Sequence, residues 1–284
     1  IGACSLNANT TGNRNTAVGN DSLKANTTGV NNTSSGYNSM GLNTEGTRNS
    51  AYGYSALGSN TTGNCNTAIG CGSLGGNTTA SNNTALGFDS LKANTTGTRN
   101  VAVGCGALAS NVDDNDNTAI GFDALTVNTG QNNTALGTCA LRGNQTANDN
   151  TGIGMRSLFT NTTGAANTGL GFSALKLNTT GTNNVAVGCG ALLSNTTGCC
   201  NVAIGRNALD ANTTANHNTA VGMSSLGANT TGTANTALGK DSLATNSTGG
   251  NNVAVGNCAL AVNTASNNVA VGTSALIANT TGAN

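Results

Sequence analysis

Apolar and polar residues fall in a fixed frame along this chain. An Asn recurs at positions 15, 32, 49, 66, 83, 100, 117, 133, 150, 167, 184, 201, 218, 235, 252 and 268. From each of these the chain reads N-[TV]-A-[VIL]-G-x-x-[SA]-L-x-x-N-T-T-G-x-x, so every position belongs to one of 17 columns. The units opening at Asn117 and Asn252 have 16 residues, the other fourteen have 17, and residues 1–14 are a partial unit. Columns 1, 5 and 12 are Asn, Gly and Asn in all sixteen units, and column 9 is Leu apart from Met40. Residues 1–284 therefore read as one continuous repeat domain, with nothing left over for a second one.

Seventeen residues are too few for two helices and a turn, and Gly with β-branched residues makes poor helix. The T-A-V-G stretch alternates with period two and predicts a short strand through columns 2–4, its column 4 aliphatic residue facing inward. A second short strand is expected through S-L-x-x, with Leu inward. Gly in column 5 permits a sharp bend, and N-T-T-G is a turn signal. One coil cannot bury its own Val and Leu, but stacked coils can. The expected fold is all-β: a single parallel β-solenoid of about 17 coils with about 17 residues per coil.

Each column then lies on its own copy in the next coil, about 4.8 Å away, and the whole stack makes a rod on the order of 80 Å. Columns 4 and 9 are the expected core ladders, each side chain contributing about 1.5–3 kcal/mol when fully buried. Columns 1 and 12 are expected to form amide ladders along the axis, as stacked Asn does in cross-β arrays. The two 16-residue units lose their residue in the turn after column 12 ("NTGQN", "NTASN"), where a deletion spares the stack.

Composition narrows the function classes. Charged residues are 7% of the chain, against about 25% in ordinary domains, so Asn, Thr, Ser and Gly cover the surface. Formal net charge is zero with ten basic residues, which speaks against tracking a nucleic-acid backbone. No run of about 18 apolar residues exists, so no helical membrane insertion is expected. The first coil begins part-way through and the last closes at Asn284, which predicts that one copy continues another's stack head to tail.

The segments "NTAVG", "NTAIG" and "NVAVG" followed by "xxALxxNTTG" resemble the repeats of phage and bacterial tail-fibre and surface-fibre proteins. The N-x-A-[VI]-G-x-x-[SA] core is similar to the head repeats of trimeric autotransporter adhesins. The resemblance implies a left-handed β-roll, a homotrimer as the alternative to a head-to-tail filament, and an extracellular place on a cell-surface appendage or virion. A structural role in a fibre is the leading expectation. A shaft that binds a host-surface glycan or protein is the alternative, and an ice-binding solenoid follows after that.

Variable columns hold the remaining candidates. Column 6 carries Tyr37, Tyr54, Phe88, Phe122, Met155, Phe172 and Met223, a stripe expected to face outward and pack against another chain. Arg206, Lys240 and Asn20 share the column and would be costly inside. The inward alternative fills a wider corner of the core. Nine cysteines include an adjacent pair, Cys199–Cys200, a candidate interchain disulfide. "NVDDNDN" (111–117) places Asp113, Asp114 and Asp116 in one turn as candidate calcium ligands. Column 12 opens an N-x-[ST] sequon at Asn26, Asn60, Asn77, Asn94, Asn161, Asn178, Asn195, Asn212, Asn229 and Asn279, among others. These are glycan acceptors if the turn is exposed and ladder members if the amide is buried. The sole histidine, His217, sits in an inter-coil turn; neither catalysis nor a cofactor is expected.

Overall fold

The computed structural model describes residues 1–280 and 282. The chain is all-β, a parallel β-solenoid built on the 17-residue spacing, with sixteen three-residue strands from Thr16–Val18 to Val269–Val271. No helix occurs among the described residues. Two compact units, Ile1–Cys139 and Ala140–Asn284, each contain eight of these strands. Residues 1–14 wind as a partial coil without a strand.

Each unit pairs successive coils in register. In the first, β5 (Thr84–Leu86) sets Thr84 on Val101, Ala85 on Ala102 and Leu86 on Val103 of β6 (Val101–Val103). In the second, β13 (Thr219–Val221) sets Thr219 on Thr236, Ala220 on Ala237 and Val221 on Leu238 of β14 (Thr236–Leu238). Every column thus stacks on itself, because a shift of one residue would turn each side chain to the wrong face.

The direction of the strands differs from the expectation. Column 3 faces inward: Ala85, Ala102, Ala119, Ala220 and Ala237 are fully buried. Column 4, expected in the core, faces solvent: Leu86 is 43% exposed, Ile120 38% and Leu170 42%. The interior is too narrow for an aliphatic ladder opposite the column 9 leucines, so the small residue turns in. In most coils the core is one Leu, one Ala, a Ser or Ala in column 8, two Asn, and a Gly or Ala in column 15, where Asp114 is an exception.

The second strand does not form. Columns 7 and 9 lie in the left-handed region, as at Asp89 (φ 53°) and Leu91 (φ 50°), and so does column 17 at Arg99 (φ 58°). An extended segment is incompatible with left-handed residues two apart. The coil-to-coil bonds persist through the bend, with Leu91 N donating to Ala107 O at 3.0 Å and Ala93 N to Ala109 O at 3.1 Å. Column 5 is Gly for two reasons, seen at Gly104: φ is 132°, and a Cβ there would lie 2.5 Å from the carbonyl oxygen of Gly121 in the next coil.

Candidate functional site

Both Asn columns are internal ladders. In column 12 of the first unit, Asn26 Nδ2 donates to Asn9 Oδ1 (2.8 Å), Asn43 to Asn26 (2.8 Å), Asn60 to Asn43 (2.7 Å) and Asn77 to Asn60 (2.8 Å). The second unit repeats this, with Asn178 donating to Asn161 (2.7 Å) and Asn195 to Asn178 (2.8 Å). The same Nδ2 also donates to the column 15 carbonyl of its own coil, as Asn94 does to Gly97 O at 3.0 Å. Column 1 is wired differently: the backbone N–H of Asn100 donates to Asn83 Oδ1 (2.9 Å), and Asn83 Nδ2 donates to Gly97 O (2.8 Å). No buried side-chain nitrogen or oxygen among the described residues lacks a partner.

The sequons therefore open on buried amides. Asn26, Asn60, Asn77, Asn94, Asn161, Asn178, Asn195, Asn212 and Asn229 are fully buried, and only Asn279 is half-buried. The folded coil presents no acceptor nitrogen at the nine buried sites. In the neighbouring Thr-Thr step the column 13 hydroxyl is committed internally, donating to the next coil, as Thr27 Oγ1 does to Thr44 O (3.1 Å) and Thr179 Oγ1 to Thr196 O (2.9 Å), while column 14 faces outward, as Thr28 does. The column 13 hydroxyls form no free array facing water.

What each unit does present is a set of outward apolar rows. Column 6 points outward, with Tyr37, Tyr54, Phe88, Phe122, Met155, Phe172 and Met223 all exposed. Tyr37 and Tyr54 stack face to face in adjacent coils, ring centroids 5.4 Å apart and 12° from parallel. Two columns back, on the outer side of the strands, runs the row missed from the sequence, column 4, including Leu86, Ile120 and Leu136 in the first unit and Leu170, Ile204 and Leu238 in the second. A signal for it was present. Column 4 admits Tyr52 and Ser35, whereas column 3 holds only Ala, Ser or Gly. A ladder that tolerates tyrosine is not a narrow core.

The remaining candidates separate. Among the described residues, those of the acidic turn included, no group of three or more His, Cys, Asp or Glu could hold a metal ion. Asp116 instead forms a two-pronged pair with Arg99 of the preceding coil (2.6 and 2.8 Å), which holds its carboxyl below the usual range. Partial burial, then the charge of Asp113, raises Asp114. The nine cysteines are free thiols, exposed or half-buried. Partial burial, then the adjacent Cys200 thiol, pushes the Cys199 thiol up. His217 is exposed in the column of Cys200, one coil on.

The class these features define is a parallel β-solenoid with two internal Asn ladders and apolar outer rows. No protein-family model matches the chain, and no curated protein sequence matches it.

Proposed function

We propose that this chain is a structural, non-catalytic repeat segment of an extracellular fibre, which packs against further copies of itself through columns 4 and 6. The observation that carries this is the pair of outward rows. Val, Ile or Leu fills column 4 in fourteen of the sixteen units, and Tyr, Phe or Met fills column 6 in seven, on a chain with only 7% charged residues. Contiguous apolar surface of this kind marks an interaction site. The partner is another copy because a surface that repeats every coil matches one that repeats with the same period. Two such sheet faces pack about 10 Å apart with side chains interdigitated.

The extracellular placement follows the resemblance of the repeats to tail-fibre and surface-fibre proteins. With ten Lys and Arg in 284 residues, the chain also offers few sites to trypsin-like proteases. Sedimentation velocity and electron cryo-microscopy of the purified chain test the proposal. Side-by-side trimers or filaments whose formation depends on column 4 support it, and a chain that stays monomeric at high concentration refutes it. A second reading, a shaft that also recognises a host-surface glycan, is favoured by a groove in the first unit.

A further inference from the structure

The column 6 row is interrupted in the coil opened by Asn66. Cys71 stands there between Tyr54 and Phe88, and columns 7, 10 and 11 of the same coil are Gly72, Gly75 and Gly76. Other coils carry Asp21, Lys24 and Leu42 in those columns. At the missing side chains lies a surface groove of about 750 Å³, lined by Tyr54, Phe88, Cys71 and the three glycines among others. That is the size of small-ligand sites, roughly 300–1,000 Å³.

The two rings set the shape of the ligand. Tyr37 covers one face of Tyr54, so the other is the one left for the groove. Tyr54 and Phe88 are two coils apart, about 9.6 Å. A single ring between them meets each at about 4.8 Å, within the range for contacts on an aromatic face. The rim sets its polarity. Lys92 Nζ lies 2.8 Å from Asp89 Oδ2, and Asp89 leans over Gly72, where a Cβ would meet its Oδ1. Asn38, Ser55 and Ser59 also line the groove, and Leu42 and Ala93 add to its apolar surface.

The rim charges neutralise one another while leaving both donors and acceptors at the edge. This is complementary to an uncharged ring with apolar faces and a hydroxylated periphery. An anionic ligand would meet the Asp89 carboxylate. A hydrocarbon side chain of a partner would cover Asp89, Lys92 and Asn38 without replacing their bonds to water, which is unfavourable.

We propose that this groove binds a neutral oligosaccharide, one pyranose ring seated between Tyr54 and Phe88. This rests on the second reading of the function, and because Tyr54 and Phe88 also belong to the column 6 row, a bound sugar and a packed copy compete for them. The chain has no Trp and three Tyr; Tyr52 and Tyr54 belong to one coil and Tyr37 stacks on Tyr54, so tyrosine emission reports on this region alone. The test is titration of the intact chain with cellotriose, maltotriose, chitotriose and lactose.

At least one sugar is expected to give a saturable emission change, weakened tenfold or more in both Phe88→Ser and Gly75→Leu and unaltered in Lys176→Ser. Column 6 accepts Asn20 and Thr138, and column 10 accepts Leu193, so the first two variants keep the coil; circular dichroism checks it. No response to any of the four sugars overturns the proposal, as does binding that survives both variants. Chain association that depends on Phe88, without a sugar response, assigns the groove to a second copy and also overturns it.

Discussion

Leu91 is fully buried at φ 50°, a backbone region in which bulky side chains are rare and β-branched ones are genuine outliers. Leu is tolerated because its branch lies one carbon further out, and Met40 occupies the same column at φ 48°. Leu91→Ile is therefore expected to lower stability by about 2 kcal/mol more than Leu91→Met, although both nearly conserve volume. Urea unfolding of the two variants measures the difference. Asn94 is a sharper case. Its Nδ2 donates to Asn77 Oδ1 (3.0 Å) and Gly97 O (3.0 Å), and its Oδ1 accepts from Asn111 (3.1 Å). Asn94→Ala strands buried partners on both sides and is expected to cost about 3 kcal/mol in the same measurement.

At the scale of the element, each coil is one short strand followed by a bend of alternating hand. Column 5 is the corner on which closure depends. Gly104→Ala combines a φ of 132° with a Cβ driven into the Gly121 carbonyl, and is expected to cost about 3 kcal/mol or more. Neighbouring coils lose hydrogen-exchange protection with it, since each coil is stabilised by those beside it.

The acidic turn titrates in two opposing senses. Asp114 has a raised pKa, so its penalty exists above that value and vanishes as pH falls through it. Asp114→Asn is expected to raise the urea midpoint at pH 7 and leave it unchanged at pH 3. Asp116 has a lowered pKa, so its pairing with Arg99 stabilises above the ordinary carboxylate range and is lost as pH falls through the lowered value. Asp116→Asn is expected to lower the midpoint at pH 7.

At the scale of the whole molecule, the balance of charge decides what kind of association is available. Zero net charge and few ionic groups leave little long-range repulsion or steering. The proposed contact through columns 4 and 6 rests on apolar burial, so salt is expected to have little effect on it. Replacing Leu86, Ile120 and Leu136 together with Lys is expected to disperse the assembly while far-ultraviolet circular dichroism stays the same, because all three side chains are already exposed. Sedimentation velocity at two salt concentrations reads both outcomes.

The period, the corner glycines, the Leu ladder and the two Asn ladders were legible in the sequence, because a column repeated with at most one exception must meet its own copy in the next coil. Two things were not legible. Alternation over three residues states that columns 3 and 4 point opposite ways but not which points in. Hydrophobicity favoured Val, Ile and Leu, whereas the interior, already filled by Leu and two Asn per coil, had room only for Ala. The bend through columns 7–11 was hidden as well, since closing a 17-residue circuit requires left-handed residues that Asp, Ser and Leu do not advertise. Both were decided by the volume available inside a coil, which exists only once the coils are stacked. With them went the outward aliphatic row, the face on which the proposed self-association rests.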